Sequence, residues 1–140
     1  MAYRLLEHTA DLGIEVSAGT LEELFIESLR AMTDCITRLD RVDVDVTREL
    51  ALVAGDLEQL MVNWLTEAIY LHETEGLVLA DGDVEIERSG DGWSLTGRVS
   101  GEPFDLARHG LKVLIKAVTF HQLEVQQRDE GWTARVIFDI

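Results

Sequence analysis

The stretch "DVEIERSGDGWSLTGRVSGE", Asp83 to Glu102, decides the fold class. Two runs that alternate apolar and polar residues flank Ser89-Gly90-Asp91-Gly92, which is how two antiparallel strands joined by a tight turn read. A second unit of this kind closes the chain. There "HQLEVQQ" and "WTARVIFDI" flank Asp129-Glu130-Gly131. In the last run Trp132, Ala134, Val136, Phe138 and Ile140 alternate with Thr133, Arg135, Ile137 and Asp139, so the strand pattern reaches Ile140 without a polar tail. Near the amino end "LGIEVSA" places Leu12, Ile14 and Val16 on one face and Asp11, Gly13, Glu15 and Ser17 on the other, with Tyr3 to Leu6 read as the strand before it.

Two helices interrupt these strands. The first is capped by Thr20, with Glu23 in the capping-box position, and carries Leu21, Leu24, Phe25, Met32, Cys35 and Ile36 at helical spacing. The second is capped by Asp56 with Gln59 behind it. Its stripe is Leu57, Leu60, Met61, Trp64, Leu65, Ala68, Ile69 and His72, and Gly76 stops it. Between them "VDVDVTRELALVA" reads as strand from Val42 to Ala54, in one or two pieces. "LKVLIKAVTF" is ambiguous between a short helix and a strand. Strands that come in hairpins and outnumber helices predict an α+β class: a mostly antiparallel sheet with two main amphipathic helices packed on it, in one domain spanning 1–140.

Composition narrows the functions. The 140 residues carry 27 acidic and 12 basic side chains, a formal charge of −15. Nucleic-acid affinity rests mainly on Lys and Arg meeting phosphates. With Lys112 and Lys116 as its only lysines and no basic cluster, the chain is not expected to bind RNA or DNA directly. An acidic surface suits solubility, a basic protein partner or divalent cations. The single cysteine cannot form an internal disulfide, the amino terminus lacks the apolar centre of a signal peptide, and no apolar run reaches bilayer length. The expectation is a soluble, cytoplasmic protein that does not engage membranes.

Glycine-rich phosphate loops, Cys-x-x-Cys pairs and His-Glu-x-x-His spacings are missing from the sequence. Cys35 sits on the apolar stripe of the first helix and reads as a small core residue. His8, His109 and His121 would each supply a base or a soft-metal ligand, although a single histidine is more often structural. His8 lies three residues before Asp11 in "HTAD". Asp11 precedes the first long strand, and Asp139 sits beside the carboxylate of Ile140. If Ile140 packs with Phe138 and Val136, that carboxylate is held still near Asp139. Carboxylates gathered without Lys or Arg repel one another, and a hard divalent cation relieves the repulsion. Solvated strand ends are the other reading of the same residues.

"EHTADLGIEVSAGTLEELF", "GDLEQLMVNWLTEAIYLHETEG", Gly101-Glu102, "KAVTFHQLEV" and the closing "FDI" resemble, in that order, the archease family. The resemblance implies a non-catalytic cofactor protein for RtcB-type RNA ligases, which join 2′,3′-cyclic phosphate or 3′-phosphate ends to 5′-hydroxyl ends in tRNA splicing and RNA repair. It implies that the protein promotes guanylylation of the ligase by GTP and multiple turnover. It further implies a metal site, calcium by preference and magnesium or manganese as alternatives, formed by Asp11, Asp139 and Ile140 through its carboxylate. Lys116 matches the lysine of the late motif and, with His8 and His121, is a candidate for partner binding. Phe120 stands where the family motif often has Tyr. A metal-dependent phosphoesterase built on Asp11, Asp139 and His8 or His121, and a chaperone-like binding module without a functional metal site, are the competing readings.

Overall fold

The structure, a computed structural model, describes residues 3–7 and 11–140, excepting the side chains of Leu6 and Glu7. The elements are β1 (Tyr3–Glu7), β2 (Asp11–Ala18), α1 (Leu21–Ile36), β3 (Val46–Ala54), α2 (Leu57–Glu75), β4 (Leu77–Ser89), β5 (Gly92–Pro103), the short α3 (Leu106–His109), β6 (Ala117–Val118), β7 (Glu124–Arg128) and β8 (Gly131–Asp139). The strands form two antiparallel sheets rather than one. Five strands from the two ends of the chain run β1-β2-β8-β6, with β7 also on β8. Three from the middle run β3-β5-β4. The class is α+β, as the hairpins predict.

Local chemistry sets the helix limits. Thr20 accepts a hydrogen bond from the Glu23 amide at 3.1 Å, and Asp56 accepts one from the Gln59 amide at 2.7 Å. Gly76 ends α2 in the left-handed region, φ 68°, where a side chain would be strained. α1 packs against β2 and β8 of one sheet and β4 of the other, while α2 packs on β3, β4 and β5. Trp64 is buried between them and donates its indole N–H to the Phe25 carbonyl at 2.7 Å. The larger sheet contributes Leu12, Ile14, Val16, Ala134, Val136 and Phe138 to this core.

Three sequence readings change. β3 starts at Val46, not Val42. Val42 follows a 3-10 turn, Leu39–Arg41, and with Leu39, Val78 and Ala80 fills a small separate core, while the Asp45 amide is already bonded to Gly101 O at 2.9 Å. "LKVLIKAVTF" is neither a helix nor a full strand; only Ala117–Val118 pairs in a ladder. Its amides bond singly to distant carbonyls: Lys112 to Ile36 at 2.8 Å, Lys116 to Asp139 at 2.8 Å, and Thr119 to Ile137 at 2.9 Å. Ile137, on the face that alternation assigns to polar residues, is 1% exposed and paired with Gly13.

Candidate functional site

The antiparallel register of β2 and β8 sets Asp11 directly opposite Asp139, and the register of β6 sets Ala117 on the other flank of Asp139. Residues 128 positions apart in the chain therefore share one row. The end of β8 is held on both sides. Beyond the β2 ladder, the Lys116 amide donates to Asp139 O, and both the amide and the hydroxyl of Thr119 donate to Ile137 O at 2.9 Å. Ile140 is half-buried and packs against the main core, on the face of Val136 and Phe138.

The two carboxylates differ in surroundings. Asp139 is exposed, whereas Oδ1 of Asp11 is buried and has no hydrogen-bond partner among the described residues. Among the described residues neither carboxylate has an ion-pair partner. Like charges directly opposite in an antiparallel ladder are destabilising, and a buried polar atom without a partner costs about 1–3 kcal/mol. A carboxylate oxygen left without a partner, in a residue paired across the ladder with a second aspartate, is the kind of ligand a hard divalent ion takes. The residues present fit such an ion.

Lys116 is exposed, and its amine has no bonded partner among the described residues. His121 is exposed and follows the turn that Thr119 fixes, its amide donating to Thr119 Oγ1 at 3.3 Å. Both thus stand on the segment that borders Asp139. His8 lies outside the described residues.

His109 is not available for chemistry. It is fully buried, with Nδ1 accepting from the Asp105 amide at 2.9 Å and Nε2 donating to Glu102 Oε1 at 2.5 Å. Both ring nitrogens are thereby used, and the proton sits on Nε2. Phe104 stacks on this ring and meets His72 edge-on. Glu102, also buried, takes a charged hydrogen bond from Arg108 at 3.2 Å, and Arg108 bridges on to Asp43. Burial would raise the Glu102 carboxyl, but the His109 hydrogen bond, the Asp43 amide and the Arg108 charge outweigh it and hold the carboxyl below its ordinary value. One carboxylate oxygen each from Asp43, Asp45 and Glu102 lie within 4.8 Å of one another. His109 bonds Glu102, and Arg108 bonds both Glu102 and Asp43, so the group reads as a clamp between β5, α3 and the segment after the 3-10 turn. The sequence singles out His109 without its partner; the Gly101-Glu102 pair is the sign of that partner in the sequence.

The fold and this site define a class: a small α+β protein whose chain ends meet in one sheet and bring two carboxylates together there. A family model described as "Archease protein family (MTH1598/TM1083)" matches residues 3–140. Protein archease of Methanopyrus kandleri is 36% identical over 140 residues, covering 100% of both chains, and that of Pyrococcus furiosus is 37% identical over 135 residues, covering 96% of this chain and 95% of the other. The solution structure of Methanobacterium thermoautotrophicum protein 1598 superposes with a TM-score of 0.84 at 31% identity, over 99% of this chain and 98% of that one. The chain belongs to the archease family. No helix among the described residues is long and apolar enough to cross a membrane.

Proposed function

We propose that this protein is a non-catalytic, metal-binding activator of an RtcB-type RNA ligase, acting in the cytoplasm to promote the ligase's guanylylation by GTP and its repeated turnover in tRNA splicing and RNA repair. The observation that carries the reading is the buried, unpartnered Asp11 Oδ1 opposite Asp139. Asp11, Asp139 and the main-chain carboxylate of Ile140 would hold the ion, calcium by preference, with magnesium or manganese as alternatives. When bound, the ion would supply positive charge to which nucleotide phosphate oxygens could coordinate.

The chain's own residues position that site. The β2–β8 register sets the two aspartates opposite each other on one side of the sheet, Ile140 anchors the end of β8 in the core, and the Lys116 and Thr119 amides stop β8 from fraying. Lys116 and His121 border the site as partner contacts, and His8 is assigned the same role from its place in the "HTAD" motif. The acidic surface supports a protein partner over RNA as the direct contact.

The test is guanylylation of the cognate ligase with labelled GTP, with and without this protein at limiting and stoichiometric amounts. A several-fold faster formation of the ligase–GMP adduct is expected. Equal rates at every ratio would overturn the proposal.

A further inference from the structure

The charge of this chain is not evenly spread. Of its 27 acidic residues none falls in the eighteen positions from Leu106 to Leu123, which hold both lysines. The same stretch contains four large apolar side chains, Leu106, Leu111, Leu114 and Phe120, that stand 44–64% exposed. Single exposed apolar residues are ordinary; their concentration in one acid-free segment is not. The segment is firmly held. Val113, Val118 and Leu123 pack on the main core, Ile115 is buried in it, and the amides of Lys112, Lys116 and Thr119 are bonded to α1 and β8. Its outward side chains are thus presented on a fixed backbone.

The chemistry of an occupant follows. Arg108 is engaged by Asp43 and Glu102, and the Lys112 amine donates to Asp34 O at 2.9 Å, which leaves Lys116 as the cation of this segment without a partner among the described residues. One available charge beside four exposed apolar side chains is too little for a phosphate backbone, which wants many cations. It suits a protein surface with apolar pockets and a carboxylate for Lys116. A basic surface, the partner that the net charge alone suggests, would find no carboxylate within the segment itself. The Lys116 amide bonds to Asp139 O, so whatever covers this segment lies against the candidate site.

We infer that the outward face of Leu106–Leu123 is the docking surface for the ligase, with Leu111, Leu114 and Phe120 as anchors and Lys116 paired to a ligase carboxylate. This inference rests on the reading given under Proposed function. Docking here sets Asp11 and Asp139 beside the seam.

Binding of full-length protein to the ligase is measured by calorimetry, for the wild type, Leu114→Ser/Phe120→Ser, Lys116→Glu and the control Val53→Ser, whose exposed side chain lies on β3. The double variant is expected to bind about tenfold or more weakly, Lys116→Glu to weaken binding too, and the control to match the wild type. At high concentration the double variant should recover full ligase guanylylation, which separates docking from the metal site. Wild-type binding with an unchanged constant in the double variant would overturn this inference alone. No wild-type binding would overturn it together with the activator reading.

Discussion

Asp11 and Asp139 stand opposite each other as directly paired residues of the β2–β8 ladder, and Oδ1 of Asp11 is buried with no hydrogen-bond partner among the described residues. The pair costs stability unless a cation sits with it. Removing one charge should therefore stabilise the metal-free protein. In chelator, Asp139→Asn is expected to be more stable than wild type by about 0.5–1 kcal/mol, a few degrees in Tm. Added calcium should raise the wild-type Tm with concentration and leave the variant's unchanged. Thermal melts in chelator and in calcium check this. A lower Tm for Asp139→Asn in chelator would contradict it.

Glu102 and His109 form a buried charged hydrogen bond at 2.5 Å that closes β5 on α3. Because the folded protein holds the Glu102 carboxyl below its ordinary value, its stabilisation is complete above about pH 4.3, the unfolded value, and is lost as pH falls through the lowered folded value. Glu102→Gln should cost about 1–3 kcal/mol at pH 7, and its disadvantage should shrink below about pH 4. Urea unfolding at several pH values measures both. A deficit that grows in acid would refute the assignment.

Cys35 is held inert. Burial first, then the Asp34 charge, push its thiol up to about 11, with Lys112 opposing in part. At neutral pH the native thiol should react with a soluble alkylating agent roughly a hundredfold or more slowly than the unfolded chain. Cys35→Ala should leave the proposed ligase activation unchanged. Rapid native alkylation would put the side chain outside the core.

Gly101 admits no side chain. A Cβ there would lie 1.8 Å from the Val78 carbonyl oxygen, inside the β4–β5 ladder. Gly101→Ala should force the strands apart, shift the Glu102 clamp beside it and cost more than about 3 kcal/mol. Chemical denaturation against wild type decides; a change under about 1 kcal/mol would show that the ladder relaxes there.

What the sequence revealed depended on how each segment spends its hydrogen bonds. The hairpin around Ser89 to Gly92, the Thr20 and Asp56 caps and the Gly76 stop were legible because their partners lie within a few residues. Residues 43–45 and 111–119 were not, since several of their amides bond to groups far along the chain, such as Asp45 to Gly101 O and Lys112 to Ile36 O. Ile137 was misread for a related reason: it is buried on the face that Arg135 and Asp139 share. Alternation made Asp139 face away from the core, but nothing periodic says that Asp11 stands opposite. That row is set by a register between strands at the two ends of the chain. The Glu102–His109 clamp was hidden because four residues of α3 carry too little pattern to show that His109 points inward.

The central claim is that Asp11, Asp139 and the Ile140 carboxylate act together on the ligase. Single-turnover guanylylation of the cognate ligase, with wild type, Asp139→Asn and a form extended by a few residues after Ile140, tests it most directly. With circular dichroism unchanged, both altered forms should lose the acceleration at saturating protein while still binding the ligase. Full acceleration by a folded Asp139→Asn or by the extended form would contradict the account.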